Sequence, residues 1–372
     1  MLKPFSVLFL LLMLLAVIAT ASTCFAKEKD TIRVTFLSPN PPSVGFWMHY
    51  NKTMQAAANN LNIELTILHA ESLDRFAYLN SLEAVNVNDT DYVVALMRHN
   101  IAQKLVEKFE SSPVKLFASN VDVPEKDKKD IGLPRQRYKN WIGHTMPDDY
   151  HAGYLLAEQL IQNTNVNTMR SVVAVSGSRD SSVSFLRNLG LRDYIDNQMG
   201  TKLEQVVHTD WRYETALQKG RMLFNRYNDA KIIWCASDEI ARAVLDTLSG
   251  YEGINDYHIG GIDWSVSAIN SWGQSGYVTS VGGHFLEAGI VLALTRDFHD
   301  GYDFAEQLGT QMRLRMAPLS EQNLPLVRDL ILNENWHKLD FSKVSQSFGG
   351  DRQLLSQDYQ AVLKTVYVKN DD

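Results

Sequence analysis

Short apolar runs alternate with amphipathic segments of helix length from residue 32 to residue 281, and few folds accommodate that alternation. The strand-like runs fall at 32–37, 63–69, 92–96, 115–118, 141–143, 172–175, 203–208, 232–235, 258–261 and 278–281. Helix-length segments follow most of them, at 48–60, 74–87, 100–110, 150–162, 185–198, 213–226 and 238–248. Strand, helix, strand is the βαβ unit, which lays successive strands parallel in one sheet. Ten such strands exceed what one doubly wound sheet of ordinary size holds, so the pattern predicts an α/β chain in two lobes. Ligands of such sheets bind outside the carboxyl ends of the strands.

Length and composition agree. The 372 residues are 45% hydrophobic, with no low-complexity tract, so the chain can bury a large core. Its net charge of −7 offers no electrostatic footprint for a phosphate backbone, which argues against nucleic acid as a partner.

The first residues have the grammar of an export signal. Met1-Leu-Lys3 is a short basic region, residues 5–18 are almost wholly apolar, and Cys24-Phe-Ala26 sets small residues at the −3 and −1 positions of a cleavage site. Residues 1–26 therefore read as a signal peptide and the mature chain as periplasmic; Thr23 speaks against lipidation at Cys24. No later stretch has the eighteen uncharged apolar residues that a membrane span needs. Cleavage after Ala26 leaves only Cys235, inside the apolar run 232–236, so no internal disulfide forms and the thiol reads as buried.

Chemistry-bearing motifs are few. The chain has no G-x-S-x-G, H-E-x-x-H, Walker or G-x-G-x-x-G pattern, and His144, His151 and His284 lack metal-ligand spacing. Neither catalysis nor a cofactor is expected. The charged, proline-punctuated segment 123–137 reads as a surface loop, and the polar tail from Asp351 to Val366 as an extension packed on one lobe or on a partner.

What does gather at the predicted strand ends is a mixture of rings and planar polar groups. Pro39, Pro41 and Pro42 stiffen the exit from the first strand and deliver Phe46 and Trp47 at the start of a helix. Arg98 and His99, Asn120, residues 176–180 with Arg187, Asp210 and Trp211, Ser237 and Asp238, and Asp263 and Trp264 follow at later strand ends. Polyhydroxylated ligands need both kinds of group, since ring hydrogens of a sugar pack on aromatic faces while hydroxyls pair with Asp, Asn and Arg. Each residue singly has a structural reading as well; Asp238, for example, makes a good helix N-cap.

Several segments, taken in order, resemble the type I periplasmic binding proteins, the family of the ribose-binding proteins and the LuxP receptor. They are Phe46-Trp47, Lys115-Leu-Phe-Ala-Ser-Asn120, Trp141-Ile-Gly-His-Thr with His151-Ala-Gly-Tyr-Leu-Leu-Ala157, the segment 233–248, and Ile259-Gly-Gly-Ile-Asp263. The resemblance spans about residues 32–324. It implies two Rossmann-like lobes, each a parallel sheet flanked by helices, joined by a three-segment hinge that closes over a ligand. The lobes would comprise residues 30–143 with 284–312 and residues 144–283 with 313–340, leaving 341–372 as a C-terminal extension.

By the same resemblance Phe46 or Trp47 is the stacking ring of the first lobe and Trp211 the ring facing it. Asn120 holds a ligand oxygen, Arg187 clamps the ligand, and Ser237, Asp238 and Asp263 fill the remaining polar positions. Two positions depart from the family. Gly282-Gly283 followed by His284 stands where sugar binders often carry Gln or Arg, and Ser237 stands where Asn is common, so aldopentose specificity does not follow. The expected role is that of a monomeric, non-enzymatic protein that captures a small polar, sugar-like ligand for an ABC permease. The alternative is a sensory receptor that reports its ligand to a membrane sensor kinase. A DNA-binding repressor of the same fold is disfavoured by the export signal and the absence of a helix-turn-helix before Ile32.

Overall fold

In the computed structural model, Ile32–Ser38 (β1) pairs in parallel with Ile63–His69 (β2) on one side and Tyr92–Ala95 (β3) on the other. A strand so placed is covered on both faces, which is why its sequence is a nearly unbroken apolar run. The structure describes residues 29–42, 45–72, 75–162, 164, 169–251, 253–274 and 276–368; the signal-peptide reading lies outside them. No described helix is long and apolar enough to cross a membrane.

Lys115–Ser119 (β4) and Trp141–Pro147 (β5) extend the first sheet. Arg170–Ser176 (β6), Thr201–His208 (β7), Ile232–Cys235 (β8), His258–Asp263 (β9) and Tyr277–Gly282 (β10) form a second. Gln311–Leu314 (β11) then returns to the first sheet and Ala317–Pro318 (β12) to the second. The orders are β11-β5-β4-β3-β1-β2 and β12-β10-β9-β8-β6-β7. All the pairs are parallel except β10 with β12, a two-residue edge where proline is tolerated. In each sheet the order reverses, at β1 and at β6, and the crevices that open at such reversals are ligand sites in α/β proteins.

The helices in chain order are Gly45–Asn60 (α1), Arg75–Glu83 (α2), Ala102–Glu110 (α3), Lys128–Ile131 (α4), Asp149–Gln162 (α5), Ser182–Asp196 (α6), Tyr213–Arg226 (α7), Asp238–Thr247 (α8), Val266–Ser271 (α9), Glu287–His299 (α10), Ala305–Leu308 (α11), Leu324–Ile331 (α12) and Tyr359–Val366 (α13). The chain passes between the sheets three times: after β5, after β10 and between β11 and β12. Two-lobe architecture and three crossings are as the resemblance implied. The first sheet, however, carries β5 through Pro147, beyond the 143/144 boundary read from the sequence, because His144 to Pro147 pair with all of β11.

The sequence pattern had not marked α10, β11 or β12. Every residue of α10 from Glu287 to Asp297 is buried, so it lacks the polar face that gives a helix its period. The tail packs on the first lobe. The Phe341 ring lies so close over Gly289 of α10 that a Cβ there would sit 2.2 Å from it. Asp297, on the same helix, accepts hydrogen bonds from Ser345 Oγ and the Gln346 and Ser347 amides. Tyr359 is fully buried beside Gly283, where the chain crosses after β10.

Candidate ligand-binding site

The first lobe brings an aromatic cluster to the reversal at β1. Gly45, at φ +50°, turns the chain into α1, and Phe46 and Trp47 follow as half-buried rings set edge to face at 5.2 Å. Tyr50 backs both, at 5.9 and 5.2 Å. One face of Phe46 is covered by His284, stacked at 4.3 Å and 19°. His284 is 2% exposed, and its position is made by the glycines before it: a Cβ at Gly282 would meet the Trp264 indole at 2.6 Å, and Gly283 has φ +102°. The departure seen in the sequence thus exchanges a long polar side chain for a ring that spans a crossing and the first lobe.

A chain of polar contacts starts at that histidine. His284 Nε2 lies 3.5 Å from Asp263 Oδ1, and Arg187 Nη1 lies 3.9 Å from the same oxygen. Arg187 donates from Nε to Asp149 Oδ1 at 2.7 Å and from Nη1 to the Ala236 carbonyl at 2.6 Å. Its Nη2 has no protein partner among the described residues. Burial pushes the Asp263 carboxyl above the usual carboxylate range, with the Arg187 charge pulling against it. Burial and Arg187 push the His284 ring down to about 3, so it is neutral and its contact with Asp263 is no ion pair. Asp263 sits at φ 144°, a strained backbone for a residue with a side chain, and such strain clusters at functional sites.

Arg187 owes its place to two glycines. Helices α5 and α6 approach so closely that a Cβ on Gly153 would lie 2.0 Å from the Arg187 carbonyl oxygen, and one on Gly190 would lie 2.0 Å from that of Tyr150. Trp211, at φ +70°, lays its indole against Gly177 at the end of β6, where a Cβ would be 2.1 Å from the ring. Thr209 Oγ1 accepts the Trp211 amide at 3.1 Å and holds that turn. In the first lobe, Asn120 follows β4 at φ +64°, a conformation asparagine tolerates. Its amide nitrogen donates to Glu287 Oε1 at 2.9 Å and its Nδ2 to Glu287 Oε2 at 3.1 Å. The lobes touch nearby, where Ser182 Oγ donates to the Asp122 carbonyl at 3.1 Å.

Ser237 and Asp238 have structural partners. Ser237 Oγ caps α8 by accepting the Ile240 amide, and the 1% exposed Asp238 accepts from the Ser265 amide, Ser280 Oγ and Tyr277 OH at 2.8, 2.8 and 3.0 Å. Asp238 therefore ties α8 to the turn after β9 and to β10, inside the second lobe. Of the other strand-end residues, His99 is held by Asp127 at 3.1 Å and the Arg98 guanidinium lies over the Tyr78 ring at 5.4 Å. No group of three or more metal-ligating side chains occurs among the described residues.

Asp149 and Glu287 were missed in the sequence. Asp149 stands in the first turn of α5, where an acid is common on helix-dipole grounds alone. Glu287, however, is the single charge in the otherwise apolar run 285–294, a signal that was there to be read.

The periplasmic binding protein domain model matches residues 34–290, and the chain belongs to that family. It is therefore one of a class of ligand-binding proteins of the periplasm. Among solved structures it is similar to a periplasmic sugar-binding protein from Pseudomonas fluorescens, at 24% identity and a TM-score of 0.78, over 89% of this chain and 99% of that one. It is also similar to a galactofuranose-binding protein, at 14% identity and a TM-score of 0.69, over 81% and 99% of the two chains. A third is an ABC transporter solute-binding protein from Bacillus halodurans with bound myo-inositol, at 13% identity and a TM-score of 0.65, over 81% and 98%. None of the curated proteins matches the chain.

Proposed function

We propose that this protein captures a small sugar or polyol in the interlobe cleft and delivers it to an ABC permease. The reading rests on one observation above the others: an arginine whose Nε and Nη1 are held by Asp149 and Ala236 has no partner for its Nη2 among the described residues, while its Nη1 lies 3.9 Å from Asp263 Oδ1. Such a fork donates to one hydroxyl while the carboxylate accepts from its neighbour, and the rings cover the carbon-bound hydrogens. Trp211, Asn120, His284 and the pair Phe46 and Trp47 complete the site; Ser237 and Asp238 support its walls. Neighbours of the same fold hold myo-inositol and D-allose and are ABC transporter solute-binding proteins, which favours transport over a sensory role. Closure would be driven only by the ligand's stronger binding to the closed form. We take the working form to be a monomer, exported by its N-terminal signal.

Isothermal calorimetry with D-allose, myo-inositol, D-galactose and a galactofuranoside tests this directly. Charge-assisted hydrogen bonds contribute about 1.5–3 kcal/mol, so Arg187→Ala is expected to weaken the bound polyol by about 10- to 100-fold. Trp211→Ala is expected to weaken it as well. If both variants bind as the parent does, the cleft is not the site.

A further inference from the structure

The pairing of Asn120 with Glu287 bears on which ligands the cleft accepts. Glu287 is fully buried at the start of α10, and both of its oxygens are directed at the turn after β4. Oε1 accepts from the Asn120 amide nitrogen at 2.9 Å and from Thr145 Oγ1 at 2.7 Å, while Oε2 receives only Asn120 Nδ2 at 3.1 Å. An ionised carboxylate can only accept, so it draws the NH2 end of the amide inward and leaves Asn120 Oδ1, which has no partner among the described residues, to face outward. A proton on Glu287 belongs on Oε2, because Oε1 already accepts two donors. A protonated Oε2 donates, and an amide meeting a donor must turn its oxygen inward and its NH2 outward.

Resting on the reading of Asn120 as a ligand-binding residue, we propose that Glu287 is a positioning residue that sets the polarity of the cleft at Asn120. The position accepts a hydrogen bond from the ligand when Glu287 is ionised and donates one when it is protonated. Both states are within reach of ordinary conditions, since burial raises the Glu287 carboxyl to about 8 against the pull of its hydrogen bonds from Thr145 and Asn120. The other titratable groups facing it do not compete for this role. Tyr50 from α1 and Tyr359 from the extension are pushed well above the ordinary tyrosine value by burial and stay neutral. Asp149 is held by Arg187, and His284, on the turn before α10, is neutral. His144, next to Thr145 on β5, is likewise neutral, its Nε2 at 3.1 Å from the Val121 carbonyl.

A hydroxyl can donate or accept, so a sugar itself hardly reports the change, whereas fluorine in its place can only accept. The probes are therefore D-allose, myo-inositol and their monodeoxyfluoro analogues, titrated calorimetrically into the wild type, Glu287→Gln and Asn120→Ala at pH 9 and pH 6.5. At pH 9 the wild type is expected to bind one fluorinated isomer at least tenfold more weakly than its parent. That penalty shrinks at pH 6.5, and in Glu287→Gln it is small at both values, because the substituted side-chain amide donates where Oε2 accepted. A second measurement needs no ligand: at pH 9 the Asn120 side-chain NH2 protons, followed by NMR, exchange with water at least tenfold faster in Glu287→Gln than in the wild type. Equal exchange in the two proteins, or a fluorine penalty independent of pH and of residue 287, overturns the proposal. If Asn120→Ala leaves polyol affinity unchanged, it is the site reading itself that fails.

Discussion

His49 carries a pH dependence whose sign can be worked out. Its ring stacks on Trp336 at 5.6 Å and meets Phe285 edge-on at 6.2 Å, and its Nε2 has no partner among the described residues. Burial pushes this histidine down to about 4, as it does His144 to about 4 and His284 to about 3. In the unfolded chain the same groups take up protons near pH 6.5. Between about 6.5 and 4 the unfolded state binds more protons, so stability is full above that window and lost as pH falls through it. Melting temperature should drop across this range, and His49→Phe, which keeps the stack and removes the titration, should drop less. Parallel melting curves for the two proteins would contradict the assignment. Glu287 has the opposite sign: its folded value of about 8 lies above the unfolded value, so its contribution is present at low pH and lost as pH rises through 8. Stability should therefore peak near neutrality.

At the scale of elements, the contact between α5 and α6 holds in place Arg187, the arginine proposed to bind the ligand. The atoms that a Cβ at Gly153 would strike belong to the Arg187 backbone, so the helices must separate to admit it. Overpacking of this kind costs about 1–3 kcal/mol, and here it displaces Arg187 as well. Gly153→Ala should lower both melting temperature and polyol affinity, measured by thermal shift and calorimetry. Gly220→Ala on α7, where the nearest atom is a Thr247 methyl at 3.3 Å, should leave affinity unchanged. Equal affinity loss in both would indicate general destabilisation instead. The strands were plain in the sequence as short, nearly unbroken apolar runs, and most helices because their faces differ in polarity. By contrast, α10 was not, since a helix buried all round has no period to detect.

At the scale of the molecule, the C-terminal extension belongs to the fold. Phe341, Val344, Leu355, Tyr359, Val362, Leu363 and Val366 are all 1% exposed or less. Phe341→Ala should cost about 3–5 kcal/mol, the usual range for a buried phenylalanine, and lower the denaturation midpoint without changing polyol affinity. An unchanged midpoint would mean that the segment is peripheral. By itself the sequence determined the alternation of strands and helices, the two lobes, and the rings and planar polar groups at strand ends, because these follow from local periodicity and from residue chemistry. Only the tertiary structure decided which of those groups face each other. Asp238 and Ser237 stand at a helix start that fits a cap as well as a ligand, and their bonds to Ser280, Tyr277 and Ile240 made them supports. Asp149 and Glu287 lie 38 and 167 residues from the groups they hold, Arg187 and Asn120. No spacing rule reaches across such distances; packing of the finished lobes brings those pairs together.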